Sequence, residues 1–321
     1  MEARSLGQSK VKITPILMGT WQAGKAMWTG IEDTETIKAI RAGFEAGITT
    51  IDTAEIYGEG HSEQIVAQAI VDVRDQVQLA SKVFPTHLHY DQVITACEGS
   101  LKNLKTDYLD LYQIHWPTGS FNSEIVPIAE TMEALNELKR QGKIRAIGVS
   151  NFSQAQLAEA QQYGQIDSVQ PPYSLFWRQA EQELIPYCVE QNITVLAYSS
   201  LAQGLLTGKF GPDHQFEAGD HRAKNKLFQG ENYKRVLQAV GQLRPIAEKK
   251  GCTLSQLALA WLIAQPNTCA IAGARNAEQV LTNAQAPSVV LSETELAEID
   301  HIGRGVTDYL DDNPVLWTFN V

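Results

Sequence analysis

ITTIDTAEIYGEG (48–60) is an apolar run that ends on a carboxylate, Asp52, and is followed five residues later by a phenol, Tyr57. A strand covered on both faces reads as a short apolar run with few polar residues. Two further runs end in the same manner: VQLASK (77–82) closes on Lys82 and YLDLYQIH (108–115) closes on His115. A carboxylate, a phenol, an amine and an imidazole at the ends of three such runs fit poorly as core filling. Together they point to acid–base chemistry at one mouth of a parallel barrel.

Outward from these runs, short apolar segments alternate with helical patterns along the chain. The expected strands are ILMG (16–19), TTID (49–52), QLASK (78–82), LDLYQIH (109–115), IRAIGVS (144–150), SVQPP (168–172), TVLAY (194–198) and CAIAG (269–273). Segments such as TETIKAIRAGFEAG, QVITACEGSLKNL and IAETMEALNELKRQG fill the gaps as helices, and KRQG and EKKG mark helix C-termini. Eight strands alternating with helices predict an α/β fold, a (β/α)8 TIM barrel. The gap between Tyr198 and Gly273 is far longer than one βα unit, so an insertion is expected after the seventh strand. A doubly wound sheet would need a glycine-rich turn after its first strand, and GTWQAGK (19–25) is not GxGxxG. Residues 4–14 alternate around GQSK and are expected to form a hairpin that plugs the barrel bottom. Neither a linker nor a repeat beyond the βα unit is visible, so residues 1–321 are expected to form a single barrel domain.

Composition narrows the setting. Apolar residues make up 44% of the 321 and charged residues 20%, as in ordinary soluble proteins. The formal net charge of −11 argues against nucleic acid as a main partner, because phosphate binding needs a basic surface. Cys97, Cys188, Cys252 and Cys269 are widely spaced, form no CxxC pair and read as buried free thiols of a reducing compartment. MEARSLGQSK carries no apolar leader-like run, and the apolar stretch LALAWLIA is too short to span a membrane. A cytoplasmic protein, a monomer or weak oligomer, is expected.

The quartet has a coherent chemistry. An ammonium beside a phenol favours the phenolate and lowers its pKa. Asp52 would hold Lys82 in place and keep it charged, and His115 would donate a hydrogen bond to a substrate oxygen. The set suits protonation of a carbonyl oxygen as negative charge develops on it. Taken singly, a tyrosine is more often a packing residue, a histidine a satisfied core group and a Lys–Asp pair structural. The joint arrangement in strand order makes those readings much weaker.

In these segments the chain resembles the aldo-keto reductases. DTAEIYGEGHSE is similar to that family's segment around its catalytic Asp and Tyr, and LASK and LYQIHWP to its Lys and His strands. GVSNF, QPPYS and AYSSLAQGLLTGKF resemble its cofactor segments, and IAGARNAEQVLTN its adenosine-phosphate segment; the likeness runs in order from about Leu17 to Asn283. The resemblance implies NADPH-dependent reduction of aldehydes or ketones, with small aldehydes and α-dicarbonyls as a substrate class. Tyr57 would be the proton donor, Lys82 and Asp52 would tune it, and His115 would orient the carbonyl. The cofactor would lie extended across the barrel mouth, past Gly19, Thr20, Trp21 and Asp52 at one end, and past Leu201, Gln203 and Gly273 further along.

The cofactor residues also make sense from their own chemistry. Ser150, Asn151 and Gln170 end strands five and six with donors and acceptors suited to a carboxamide, and Tyr198 offers a ring for stacking. Ser199 to Leu205 would cradle a pyrophosphate, with Gly204 allowing close backbone approach. Lys209, Arg222 and Arg275 stand out in an acidic chain. Arg275 precedes a helix start near Asn276, and an Arg fork there suits a 2′-phosphate. The resemblance puts Gln279 and Asn283 on the adenine side. Many members of the family carry Lys-Ser after the last strand. This chain has Gly273, Ala274 and Arg275, as in the branch that includes the potassium-channel β subunits.

Other features are set aside. GLLTGKF (204–210) lacks the glycine spacing and the Ser/Thr of a phosphate loop, and GVSNF lacks the last glycine of a nucleophile elbow. His87 and His89 have no third ligand nearby, so no metal is expected. Trp21, Trp28 and Trp116 are expected to wall a substrate pocket, with Trp317 and Phe319 as further aromatics near it. Two rival functions stay open. Lys82 beside a tyrosine on a barrel strand would also serve a Schiff-base aldolase. The channel-subunit likeness would fit a regulatory subunit that senses NADPH without turnover, though no long segment precedes the barrel, which makes this the weaker expectation.

Overall fold

The computed structural model describes residues 1–26 and 28–311. Barrel strands β3 (Ile16–Gly19), β4 (Thr50–Asp52), β5 (Gln78–Val83), β6 (Leu109–Ile114), β7 (Ile144–Ser150), β8 (Ser168–Gln170), β9 (Thr194–Ala197) and β10 (Thr268–Gly273) close into one parallel barrel. Every neighbouring pair is parallel, and β10 returns to β3 through Ala270–Ile16 to Gly273–Gly19. The strands are buried almost throughout, which is why they read as apolar runs rather than as alternating ones. The expected SVQPP strand stops at Gln170, because Pro171 and Pro172 have no N–H to give a ladder. His115 and Tyr198 likewise stand one residue beyond β6 and β9.

Residues at the start of the chain form the short antiparallel pair β1 (Arg4–Ser5) and β2 (Lys12–Ile13). Leu6, Val11 and Ile13 pack into the barrel against Leu17, Ala80, Leu111, Ala146, Leu196 and Cys269, so the hairpin plugs the bottom as its pattern predicts. Gly7 donates its N–H to Thr194 Oγ1 at 2.8 Å, and its backbone presses on Asp167 so closely that a Cβ has no room.

Helices α1 (Asp33–Glu45), α2 (His61–Ala69), α3 (Tyr90–Leu104), α4 (Ile128–Arg140), α5 (Gln154–Gln161) and α6 (Leu184–Glu190) follow successive strands. The insertion after β9 holds 3-10 turns at 202–207, 221–224 and 226–228, then α7 (Gly230–Lys250) and α8 (Leu254–Ile263). Finally come α9 (Ala277–Ala284) and α10 (Glu293–Thr307). The starts of α5, α8 and α10 are closed by capping boxes at Ser153, Thr253 and Ser292, each paired with a Gln or Glu three residues on. Among the described residues no helix is long and apolar enough to cross a membrane.

Of the cysteines, Cys97, Cys188 and Cys269 are buried free thiols as expected, whereas Cys252 is only half-buried because it follows the exposed C-terminus of α7. Trp317 and Phe319 lie outside the described residues.

Candidate active site

The C-terminal ends of the strands open into a cavity of about 1210 Å³. Asp52 ends β4 opposite Ala80, and Lys82, two residues further along β5 and one before its end, points to the same side, so its long side chain meets Asp52 inside the barrel. Lys82 is completely buried, and its ammonium donates to Asp52 Oδ1 at 2.7 Å, to the Thr53 carbonyl at 2.8 Å and to Tyr57 Oη at 3.3 Å. The Tyr57 loop runs over the strand ends and is braced from the other side. Gly24 meets the Tyr57–Gly58 backbone at a distance no side chain could share. His115 stands edge-on to the Tyr57 ring, with centroids 5.6 Å apart.

Burial opposes the Lys82 charge, but Asp52 and Tyr57 outweigh it and hold its pKa above the ordinary lysine value. For Tyr57 the expectation of a lowered pKa is corrected. Lys82 does pull it down, but burial pushes it up and wins, so the net direction is upward. The phenol therefore keeps its proton in the resting site. His115 is driven the other way, well below the usual histidine value, by burial and then by Lys82. Its imidazole is neutral, and Nδ1 has no hydrogen-bond partner among the described residues.

The second Asp52 oxygen accepts from Gln170 Nε2 at 2.9 Å and from Gln113 Nε2 at 3.4 Å. Gln113 is fully buried and belongs to this polar layer, yet the sequence reading missed it; a glutamine inside a strand run was the available signal. Ser150 Oγ donates to the Gln170 carbonyl at 2.8 Å. Asn151, at φ +61°, donates through Nδ2 to the His115 carbonyl at 3.0 Å and accepts from Tyr198 Oη at 2.8 Å. Ser150, Asn151, Gln170 and Tyr198 thus form one linked wall that runs into the Lys82–Asp52 pair.

Beyond Tyr198 the backbone takes the left-handed conformation at Ser199, Ala202, Gln203 and Gly204, with φ between +47° and +98°. Such a run of non-glycine residues is costly and is held here by the surrounding fold. Ser199, Gln203 and Gly204 line the same cavity with Leu201, as do Gly19, Thr20, Trp21, Gly273, Gln279 and Asn283. Gly19 lies against Ile271 and Gly273 against the Gln22 amide, where added side chains would clash.

Lys209, Arg222 and Arg275 converge at the far end of the cavity. Burial, followed by repulsion from the other cations, lowers the pKa of Lys209 and of Arg275. Arg222 is clamped by Asp220, whose Oδ1 accepts from Nε at 2.9 Å, and stands 5.5 Å from the Trp28 ring. Arg275 Nη2 is buried without a hydrogen-bond partner among the described residues. Arg275 immediately precedes the cap of α9, Asn276, whose side chain accepts from the Gln279 amide at 3.0 Å. Gln279 in turn accepts from the Arg275 amide at 2.9 Å.

Trp21, Trp28 and Trp116 line the cavity as expected. Three further rings were not read from the sequence. Phe121, at φ +57° in the loop after β6, lies 5.4 Å from Phe84 and 5.3 Å from Trp116. His221 reaches back from the insertion and lies 4.7 Å from Trp21 and 4.5 Å from Trp28. Nothing in the local pattern distinguishes such rings from packing residues. Of the four residues expected to carry the proton chemistry, Lys82 alone does not line the cavity, because it lies beneath the floor. His87 pairs with Glu55 and His89 with Glu130 and Glu124, and no group of three metal-ligating side chains occurs among the described residues.

Comparison with known proteins agrees with this fold. The sequence profile of the Aldo/keto reductase family matches residues 15–304. The chain is 40% identical to the aldo-keto reductase YhdN of Bacillus subtilis, over 94% of this chain and 93% of that one. It is 36% identical to an NADH-specific methylglyoxal reductase of Escherichia coli, over 92% of this chain and 96% of that one. A solved structure, the glycerol dehydrogenase from Gluconobacter oxydans, superposes with a TM-score of 0.87 at 33% identity, covering 96% of this chain and 97% of that one. The chain belongs to the aldo/keto reductase family of oxidoreductases.

Proposed function

We propose that this protein reduces aldehydes and ketones to alcohols with NADPH, acting as a single barrel domain, a monomer or weak oligomer in the cytoplasm. Small aldehydes and α-dicarbonyls are the proposed substrates. The observation that carries the reading is the buried Asp52–Lys82–Tyr57 chain, with contacts of 2.7 and 3.3 Å, at the wall of a cavity whose other end gathers three cations.

The residues present fit a phosphorylated dinucleotide. Arg275 has an orphaned buried donor, and Lys209 and Arg275 are both held below their ordinary pKa by burial and then by repulsion from Arg222. A 2′-phosphate would relieve both conditions. The left-handed backbone at 199–204 suits the pyrophosphate, and the Ser150–Asn151–Gln170 wall suits the carboxamide, beside a Tyr198 ring for stacking. When bound, the reduced nicotinamide supplies the hydride.

The chain's own part is the proton. Tyr57 holds it, because burial keeps the phenol protonated. As negative charge develops on the carbonyl oxygen, Tyr57 Oη passes the proton on, and the Lys82 ammonium stabilises the phenolate left behind. Asp52 anchors Lys82, and the neutral His115 donates to the same carbonyl oxygen. Trp21, Trp28 and Trp116 shape the substrate side. A Schiff-base aldolase would need an unprotonated, reachable amine. Lys82 is sealed under the floor, bonded to three acceptors, with its pKa raised.

The test is a panel of carbonyls scored by loss of NADPH absorbance and repeated with NADH. Turnover with NADPH on small aldehydes and α-dicarbonyls is expected. Equal use of NADH, as the name of the Escherichia coli relative describes for that enzyme, would remove the role proposed for Arg275. Absence of turnover on every carbonyl would leave the NADPH-sensing reading instead.

A further inference from the structure

We infer that Glu55 is a positioning residue for the proton step, tying the loop that carries Tyr57 to the end of the strand that carries Lys82. The inference rests on the carbonyl-reductase reading above and deepens it. Glu55 lies two residues before Tyr57 and is turned away from the reacting groups. Its Oε1 accepts from the Phe84 backbone N–H at 2.7 Å and lies 3.0 Å from His87 Nδ1. Its side chain is 17% exposed, so the bond to Phe84 is largely shielded from water.

Phe84 is the residue after β5, and the Val83 carbonyl just before it accepts from the His115 N–H at 2.9 Å. The carboxylate therefore grips a segment already joined to both Lys82 and His115. Pro85 follows and has no N–H, so Phe84 supplies the backbone donor at this strand end. The Tyr57 loop needs such a grip. Its last sheet-like bond runs from Thr53 N–H to the Ala80 carbonyl, after which it turns through left-handed residues at Gly58, Glu59 and Gly60. A hydrogen bond from a backbone N–H to a carboxylate is shorter and roughly twice as strong as a neutral one. The phenol-to-ammonium contact, at 3.3 Å, is already long, and a loop released by a fraction of an ångström would leave Tyr57 poorly supported.

The test uses the full chain with saturating NADPH and an aldehyde that the wild type reduces. Wild type and Tyr57→Phe come first, and failure there overturns the functional reading itself, whatever Glu55 does. With those controls sound, Glu55→Ala is expected to lower kcat roughly 10- to 100-fold. Its aldehyde KM and NADPH Kd should stay within about twofold of wild type. Glu55→Gln, which keeps an acceptor oxygen, should recover most of the loss. The solvent isotope effect on kcat should grow in Glu55→Ala, because proton delivery becomes limiting. Full kcat in Glu55→Ala, no recovery in Glu55→Gln, or a loss confined to NADPH affinity overturns the inference. Should Glu55→Ala not fold, amide exchange at Phe84 in the wild type decides. Protection supports the bond to Glu55, and exchange at the rate of an open loop overturns it.

Discussion

In the proposed reaction Tyr57 must give a proton and be stable without it, and the two properties have different sources. Burial raises its pKa and keeps it loaded, while Lys82 at 3.3 Å stands ready for the phenolate. Tyr57→Phe removes the proton and little else, since the ring still packs beside His115. The variant should bind NADPH with unchanged affinity and lose about 10²- to 10⁴-fold in kcat, the usual worth of a positioned acid. Stopped-flow turnover beside a fluorescence titration of cofactor separates the two effects. Near-normal reduction would remove Tyr57 from its role. The quartet was legible in the sequence because Asp52, Lys82 and His115 are polar at the ends of apolar runs, where packing gives them no reason to be, and Tyr57 follows the first of these ends within one loop. Its net acidity was not legible. The sequence shows that Lys82 has the means to approach Tyr57, whereas the depth of burial that reverses the shift is a property of the closed barrel.

At the scale of elements, the βα units announced themselves through run length and spacing, and the barrel order followed. The insertion after β9 announced only its existence. Its 3-10 turns place His221 between Trp21 and Trp28 and lay Arg222 against the Trp28 ring, contacts that join residues nearly two hundred positions apart and leave no local pattern. The segment from β10 to α9 was readable in more detail, because Asn276 is a helix cap and Arg275 stands directly before it. That segment carries its own prediction. Arg275 brings an unsatisfied buried donor to a cluster of like charges, so its contribution appears when an anion arrives. A charge-assisted hydrogen bond is worth about 1.5–3 kcal/mol. Arg275→Ala should therefore raise the KM for NADPH by roughly 10- to 100-fold at low salt and leave the KM for NADH nearly unchanged. Equal losses with both cofactors would mean that Arg275 serves the segment's structure and not the 2′-phosphate.

For the molecule as a whole, the neutral His115 links the site to folding stability. Its folded pKa lies well below 6.5, first through burial and then through Lys82, whereas an unfolded chain titrates it near 6.5. Below that pH the unfolded state binds a proton that the native state refuses. The stability held by the neutral ring is thus complete above about pH 6.5 and is lost as the pH falls toward the folded value. One such group sets a slope of at most about 1.4 kcal/mol per pH unit. His89 acts in the opposite sense. Its hydrogen bond to Glu130, then that to Glu124, raises its pKa, so its contribution is complete below the unfolded value and fades as the pH rises through the folded one. It lies on the surface, where salt and water weaken the pair. Comparing wild type with His115→Asn cancels His89 and the carboxylates. In urea melts stepped from about pH 7.5 to about 5.5, the wild type should lose stability more steeply than His115→Asn. Parallel slopes would mean that the native pocket accepts a charged imidazole. His115 would then reach the carbonyl as a cation, and the buried neutral donor assigned to it would have to be replaced by an acid.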